Sequence, residues 1–543
     1  MKKHIFLLLI SCISLASCKK FLDINSNNPN EATSVTPALV LPQAIVTSAA
    51  LTSTFNTSLA DAGGQFANSG SANFSTSPVI FYNYTSADFT TLFSSTYRNV
   101  IDYQYIINYN KDEMSSSNFT AIARIMKSFA FARLVDQYND VPYSDAFKGN
   151  EMLTPKYDKA EDIYKDLVSQ LSLSIKIIND GFANNVSKPG SVADVKPTID
   201  PMFKGDMSKW KSFANTLKLR LLIKMAGVPE LKSYAMAEFA KLDVNAGFIT
   251  DDAVVNPGYL KEAAKQNPTF NTLAFDNEGN RARTSRIPSR WIYSFYNGQK
   301  LNDSWRGKVI YYRFPNGPIS QLGNISSTVP IAPAAGLSSW FTGTNSTTNS
   351  LGIAKGPTQS QVVMLAAESW FLQAEAHLRG YIAGDAETAF NKGVEASFTY
   401  LYKNVSDVVD ATKNVATDVA AYKAANPLSY IVNWNKTATP LAGDYNLDVT
   451  NRRLEAIITQ KYIALNTINC DEAFNEFRRT TYPYIVNGSA DPVLSFASLE
   501  SLSSRADKLP SRIPYPSTEV TYNESNVPKG ISPFLSRIFW DLD

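Results

Sequence analysis

The stretch that decides the fold is residues 118–144, NFTAIARIMKSFAFARLVDQYNDVPYS. Its apolar side chains recur at i, i+3, i+4, i+7 and i+8, which is the spacing of one face of an α-helix. These side chains are Ile122, Ile125, Met126, Phe129 and Ala130. Ser117 or Asn118 is expected to cap the start of this helix. The pattern predicts a helix that buries one face in a core.

Three further stretches have the same apolar period. Residues 210–225, WKSFANTLKLRLLIKM, predict a strong helix that ends at Gly227 and Pro229. The apolar positions of the other two are Ile163, Leu167, Leu171, Ile175 and Ile178, and then Leu454, Ile457, Ile458, Tyr462 and Leu465. Such stripes are typical of core packing, so an all-α dominated fold is predicted.

A helical hairpin is predicted around residue 380. The spacing W-x₃-A-x₁₁-A-x₃-F-x₂-G fits a tetratricopeptide repeat, in which small residues let two helices approach and aromatic rings fill the gaps. The matching residues are Trp370, Ala374, Ala386, Phe390 and Gly393. Gly384 and Asp385 supply the turn between the helices.

Composition excludes several function classes. The 543 residues contain 51 Lys and Arg against 49 Asp and Glu, and two of the positive charges, Lys2 and Lys3, lie in a predicted leader. The mature chain is then close to neutral, and it has no overall basic surplus for binding nucleic acid. Only one of the two histidines, His377, lies beyond the leader, which argues against a Ser-His-Asp triad or a multi-histidine zinc site. No metal, cofactor or catalytic residue is predicted.

The amino terminus is predicted to be an export signal for a lipoprotein. Lys2 and Lys3 precede a short apolar run, IFLLLISCISL, which is too short to span a bilayer. Residues 15–18, LASC, resemble a bacterial lipobox, in which the cysteine becomes the acylated first residue. We therefore expect lipidation at Cys18 and a body anchored to the membrane by acyl chains.

Two aromatic-rich stretches without helical periodicity form the candidate ligand surface. They are residues 63–98 and 266–360, and long irregular loops in a helical protein are often functional. A flat ring covers the apolar face of a sugar, while amide and charged groups bind its hydroxyls. Trp305 and Trp340 are the strongest candidates because their surroundings are polar and rich in turns. The other candidates are Phe341, Trp291, Tyr296, Asp303, Arg306, Phe74, Tyr82, Tyr84 and Asn83.

Four other polar or reactive residues are expected to have structural roles. Arg478 and Arg479 are interpreted as partners of carboxylates within the fold, with contact to a partner or ligand as the alternative, and His377 as a packed or surface imidazole. Cys470 is interpreted as an inert buried thiol.

Several stretches together resemble the SusD/RagB family of outer-membrane nutrient-binding lipoproteins. They run in the family's order from residue 18 to residue 541, and Asn139 replaces the glycine of the family's Tyr-Gly-Asp-Val-Pro-Tyr segment. Asn also tolerates a left-handed backbone. The stretches are CKKFLDIN (18–25), FARLVDQYNDVPYS (131–144), WKSFANTLKLR (210–220), WFLQAEA (370–376), AFNEFRRT (473–480) and RIPYP (512–516), followed by Glu519, Asn523 and the pair Trp540–Asp541.

The resemblance implies a fold of tetratricopeptide-like helical hairpins with long irregular ligand-binding loops. It also implies a partner, a TonB-dependent outer-membrane transporter of the SusC type, with the helical-repeat face packed on it. The favoured function is capture of an oligosaccharide at the cell surface, on the outer membrane and facing outward. A peptide ligand, a glycosidase using two carboxylates, and a purely structural surface component remain alternatives.

The chain is accordingly divided into five segments. They are a lipoprotein signal peptide (1–17), a lipidated tether (18–45), an N-terminal helical region (46–265), an irregular aromatic-rich region facing the ligand (266–360), and a C-terminal helical region and cap (361–543).

Overall fold

The computed structural model describes residues 35–70, 77–109, 113–282, 284–326, 328–330, 340–341, 350–438 and 448–542. Within these ranges helices are the dominant regular structure and strands are few and short, which confirms the all-α dominated class. The helices of the first half are α1 (Pro37–Leu59), α2 (Pro78–Phe81), α3 (Thr90–Asn108), α4 (Ser117–Tyr138), α5 (Ala160–Ser187), α6 (Met207–Ala226) and α7 (Pro229–Phe239). Those of the second half are α8 (Pro268–Leu273), α9 (Arg290–Ser294), α10 (Ser304–Ile310), α11 (Ala366–Leu378), α12 (Ala386–Tyr402), α13 (Val415–Ala425), α14 (Val449–Ala464), α15 (Cys470–Thr480) and α16 (Ser517–Tyr522).

Helix α4 is the centre of the N-terminal half. Helices α1, α3, α5 and α6 all pack against it, and nearly every one of its side chains is buried. The predicted apolar face is confirmed, since Ile122, Ile125 and Met126 are fully buried. The predicted cap is wrong: the helix begins at Ser117 itself, directly after a 3₁₀ turn, and Ser116 holds the capping position.

The predicted hairpin around residue 380 is confirmed as α11 and α12. The rings of Phe371 and Phe390 lie 6.1 Å apart between the two helices. A Cβ atom at Gly393 would lie 2.6 Å from the Phe371 ring, so this position has no space for a larger residue. The close approach of α11 and α12 therefore depends on a glycine at position 393.

Strands contribute little to the described chain. They form three two-stranded antiparallel sheets, β1 with β5, β2 with β3, and β4 with β6. Their bounds are β1 (Phe66–Asn68), β2 (Val141–Pro142), β3 (Tyr157–Asp158), β4 (Ala253–Val255), β5 (Arg286–Pro288) and β6 (Gln361–Met364).

The apolar side chains form two cores. One is built mainly by α1 and by α3 to α7, and the other by the irregular region together with α11 to α15. The chain first passes from one core to the other at the end of α1, between Leu59 and Ala60, and returns to the first core in α3. By length and composition α1 could cross a membrane, but it packs against α3, α4 and α15, so it is a core helix here.

A buried ionic network joins the two halves of the molecule. Lys224 on α6 lies 2.8 Å from Asp136 on α4 and 3.0 Å from Glu472 on α15. Arg220, one turn earlier on α6, lies 2.6 Å from Glu368 on α11. All five side chains are nearly inaccessible to water, and each charge faces an opposite one. Removing a single member would leave its partner buried and unpaired, which is strongly destabilising.

Some predicted segment boundaries are corrected by the helices. Helix α1 begins at Pro37, inside the segment 18–45 assigned to the tether. Residues 90–98, predicted to be irregular, form the first half of α3. The described part of the region 266–360 contains three helices, α8, α9 and α10, which have five to seven residues each. Helices of one or two turns are too short to show a clear apolar period.

Candidate functional site

The two aromatic-rich stretches lie next to each other in the structure. Strand β1 from the first stretch pairs with β5 from the second, so that Ala67 faces Ile287. The side-chain amide of Asn68 donates to the carbonyl of Asn324 over 2.6 Å. The backbone N–H of Gly70 donates to the carbonyl of Pro330 over 3.0 Å. The two stretches therefore form one continuous region, although residues 99–265 separate them in the sequence.

Trp305 is the candidate tryptophan that remains partly accessible. It lies on α10 and is half-buried against the second core, with exposed Asn302 before it and exposed Lys308 one turn after it. The short helix forms because the Asp303 carboxylate caps it, accepting a hydrogen bond from the backbone N–H of Arg306 over 3.1 Å. Trp305 is thus partly accessible beside polar groups.

Asp303 and Arg306 hold α10 in place. Their side chains form an ion pair of 2.5 Å and are fully buried. The Arg306 guanidinium also lies 4.6 Å from the Phe398 ring and 5.0 Å from the Tyr422 ring. Burial raises the pKa of Asp303, and the charge of Arg306 opposes that shift. Because their polar groups are already engaged inside the protein, both residues position Trp305 and do not reach solvent.

Trp291 and Tyr296 are core residues, although the sequence suggested that they face a ligand. Lys300 Nζ lies 2.9 Å from the centroid of the Trp291 ring, and the indole N–H donates to Tyr462 Oη over 3.1 Å. The hydroxyl of Tyr296 accepts from Asn466 Nδ2 over 3.1 Å. A ring whose face and polar atom are both occupied has no surface for a sugar.

The remaining candidates divide by accessibility. Tyr82, Tyr84, Trp340 and Phe341 are buried, with no more than 4% of any of them exposed, and they pack in the second core. Asn83, between the two tyrosines, is exposed. Phe74 and Cys18 lie outside the described residues. Ligand contact by Trp305 and Asn83 stays a prediction. The other described candidates are buried, so we assign them to packing inside the protein.

Tyr312 and Arg313 extend the accessible edge beyond α10. The Arg313 guanidinium is exposed and lies 4.9 Å from the half-buried ring of Tyr312. The backbone N–H of Tyr312 donates to the carbonyl of Trp340 over 3.0 Å. The sequence places Tyr312 among many aromatic residues and gives no sign that it, unlike Tyr311, reaches the surface.

The residues expected to be structural are confirmed as such. Arg478 donates to the carbonyls of Ser511 and Asp136, and Arg479 forms a 2.6 Å ion pair with Glu375. Cys470 is buried, and burial raises the pKa of its thiol well above the usual range. Within the described residues no group of His, Cys, Asp and Glu side chains has the arrangement of a metal site.

Comparison with known proteins agrees with this architecture. The family model "SusD-like_2: Starch-binding associating with outer membrane" matches residues 29–516. No curated protein matches the chain. A solved SusD homolog from Bacteroides uniformis is 22% identical, with 93% of this chain and 99% of that chain covered and a TM-score of 0.64.

Two other solved structures have the same fold. A chitin-binding SusD homolog from Flavobacterium johnsoniae is 20% identical over 91% of this chain and 94% of that chain, with a TM-score of 0.63. A Bacteroidetes SusD-like protein is 18% identical over 94% of this chain and all of that chain, with a TM-score of 0.69. Since the family model matches nearly the whole length, the chain belongs to the SusD-like family.

Proposed function

We propose that this protein is a cell-surface lipoprotein that binds an oligosaccharide and delivers it to a TonB-dependent transporter of the SusC type. The observation that carries the proposal is the match over residues 29–516 to a family described as starch-binding and associated with the outer membrane. Two similar solved proteins are described as chitin-binding, which favours a glycan over a peptide. The protein binds its ligand without breaking a bond in it.

The proposed ligand contact lies along the accessible edge of α10. Trp305 is half-buried and sits between exposed polar residues, an arrangement that suits one face of a sugar ring and its hydroxyls. Its backbone is fixed by the buried Asp303–Arg306 pair, so the ring does not need to be ordered when the ligand binds. Asn83 and Tyr312 are the proposed additional contacts on the same continuous region.

Binding of soluble oligosaccharides tests the proposal. The protein lacking residues 1–18 is titrated with maltohexaose and chitohexaose by calorimetry, and the products are assayed for new reducing ends. We expect binding without new reducing ends, and Trp305→Ala should weaken it by about 1–3 kcal/mol. Trp370→Ala, at a half-buried tryptophan on α11, is the matched control and should leave affinity unchanged.

Three outcomes would contradict the proposal in different ways. Turnover of either sugar would make the protein an enzyme. Saturation by peptides and not by sugars would change the ligand class. Equal affinity of the Trp305→Ala and unsubstituted proteins would remove the site and leave the family assignment intact.

A further inference from the structure

A cavity lies on the helical half of the molecule. It has a volume of about 660 Å³ and is bounded by α3, α4, α5 and the turn that follows β2. Small-molecule sites usually enclose about 300–1,000 Å³, so the cavity has the size of a sugar site. None of the residues that line it belongs to the two aromatic-rich loop regions.

Lys127 on α4 is a cation of this cavity that forms no direct ion pair. Its Nζ donates to Gln104 Oε1 over 2.7 Å and lies 5.1 Å from the Tyr143 ring centroid and 5.8 Å from that of Phe147. No carboxylate of the described residues comes within 4.0 Å of it. Burial lowers the pKa of Lys127 to about 8, although the charge of Asp166 opposes the shift. A partly desolvated ammonium group of this kind is stabilised when an anion binds.

Arg124 lies beside Lys127, three residues earlier on the same helix. Its Nη1 donates to the side chain of Gln170. Its Nε is buried and has no hydrogen-bond partner among the described residues. Burial also lowers the pKa of Arg124. The cavity therefore contains two adjacent cations, and Gln104 takes only one of the three N–H donors of Lys127.

Three carboxylates line the cavity, those of Asp158, Asp162 and Asp166, and each has a partner; Asp162 lies 3.2 Å from Lys165 Nζ. Asp158 accepts hydrogen bonds from the backbone N–H groups of Tyr143 and Ser144, each over 2.9 Å, and from the Ser144 hydroxyl. Asp166 accepts from the Tyr143 hydroxyl over 2.5 Å and from the Gln170 amide. Because the acceptors are engaged and donors remain, the cavity is suited to an anionic group.

We propose that this cavity binds an acidic sugar unit. Its carboxylate would lie between Arg124 and Lys127, and its ring against the accessible parts of Tyr143 and Phe147, which are both half-buried. An inorganic anion would fill only a small part of the volume. The choice of an acidic sugar over another carboxylic acid rests on the proposed function. The assignment of an anion site rests on the two cations alone.

Glucuronic acid and glucose provide a matched pair of probes, since the two sugars differ at C6, a carboxylate in one and a hydroxymethyl group in the other. The unsubstituted protein lacking residues 1–18 should bind glucuronate at least tenfold more tightly than glucose. Lys127→Met and Arg124→Gln should each weaken glucuronate binding at least tenfold. Lys127→Arg, which keeps the charge, should retain most of it. Lys176→Met removes an exposed lysine of α5 outside the cavity and should have no effect.

Measurements on the unsubstituted protein keep the test decisive if a variant fails to fold. Sulfate should compete with glucuronate. Equal affinity for glucose and glucuronate, or unchanged affinity in a folded Lys127→Met protein, would overturn the anion site. Equal affinity for N-acetylglutamate would overturn the choice of a sugar. Binding of chitohexaose without binding of glucuronate would overturn this inference and leave the proposed function standing.

Discussion

Trp540 donates its indole N–H to Asp136 Oδ1 over 2.8 Å, and this bond attaches the end of the chain to the central helix α4. Asp136 also accepts hydrogen bonds from Lys224 Nζ and from the Tyr164 hydroxyl. Lys224 Nζ lies 5.3 Å from the Trp540 ring centroid. Trp540 therefore connects the C-terminal segment to the buried ionic network.

Replacing Trp540 with Phe tests how much this attachment contributes. The substitution keeps an aromatic ring and removes the hydrogen bond to a buried carboxylate, so we expect a loss of about 1.5–3 kcal/mol in the free energy of unfolding. Equilibrium urea denaturation measures it. Tyr522→Phe, at a tyrosine that is 78% exposed, is the control and should change stability by less than about 0.5 kcal/mol. Equal losses in the two variants would contradict the assigned role.

Asn139 carries backbone strain that its side chain offsets. Its φ of 62° and ψ of −114° suit glycine, while its Oδ1 accepts from the backbone N–H of Phe539 over 2.8 Å. Asn139→Gly loses this bond and relieves the strain, whereas Asn139→Ala loses the bond and keeps the strain. We expect Asn139→Ala to be less stable than Asn139→Gly by roughly 1–2 kcal/mol in urea denaturation. The reverse order would show that the backbone is unstrained.

Glu375 makes stability depend on acid pH. Burial by itself would raise its pKa, but Arg479 and Arg379 outweigh this effect and lower the pKa from 4.5 to about 2. Between these values the unfolded chain binds a proton that the native protein does not, so stability falls as the pH drops from about 4.5 to about 2. Urea midpoints across this range should show the fall.

Glu375→Gln is the control for that pH dependence. The variant is less stable at every pH, because two arginines lose their carboxylate, but its urea midpoint should fall less steeply below pH 4.5. An identical slope in both proteins would assign the pH dependence to other carboxylates.

Gly393 sets the spacing between α11 and α12. In Gly393→Ala the new methyl group would meet the Phe371 ring at 2.6 Å, and we expect a loss of about 1–3 kcal/mol. Phe371→Leu in the same protein should recover part of it. Gly227→Ala places its methyl group 3.6 Å from the nearest atom and is the matched control. Thermal unfolding of the four proteins distinguishes a steric conflict from a general intolerance of alanine.

Cys18 is the predicted site of acylation. Each buried CH₂ group of an acyl chain contributes about 0.8 kcal/mol to membrane binding, so Cys18→Ala should move the protein from the membrane fraction to the soluble fraction. Labelling with a radioactive fatty acid should be lost at the same time. Cys470→Ala replaces the other cysteine beyond the leader and should stay membrane-bound and labelled. A labelled Cys18→Ala protein would exclude this lipid anchor.

The fold was predictable because its signals are local. The stripe from Ile122 to Ala130 and the spacing of Phe390 and Gly393 lie within single helices or one hairpin, where sequence periodicity reports burial directly. Such signals need no knowledge of distant residues.

The accessible side chains of the loops were not predictable in the same way. Lys300 covers the face of the Trp291 ring, and Tyr462 accepts its indole N–H. Tyr462 is 171 residues away in the sequence, so nothing near Trp291 indicates that it is buried. Trp305 lies on a seven-residue helix that is too short to show a period. The cavity beside Lys127 arises from three helices and a turn, and no linear motif marks it.

The hydrogen bond between Gly70 and Pro330 has a consequence for engineering. It places the stems of two distant loops side by side, next to the pairing of β1 with β5. A chimera that takes only one of the two loops from a relative would disturb the β1–β5 pairing. A chimera that takes both loops from the same relative would keep this pairing. Under the proposed function, a change of ligand preference made by loop exchange would therefore move both loops together.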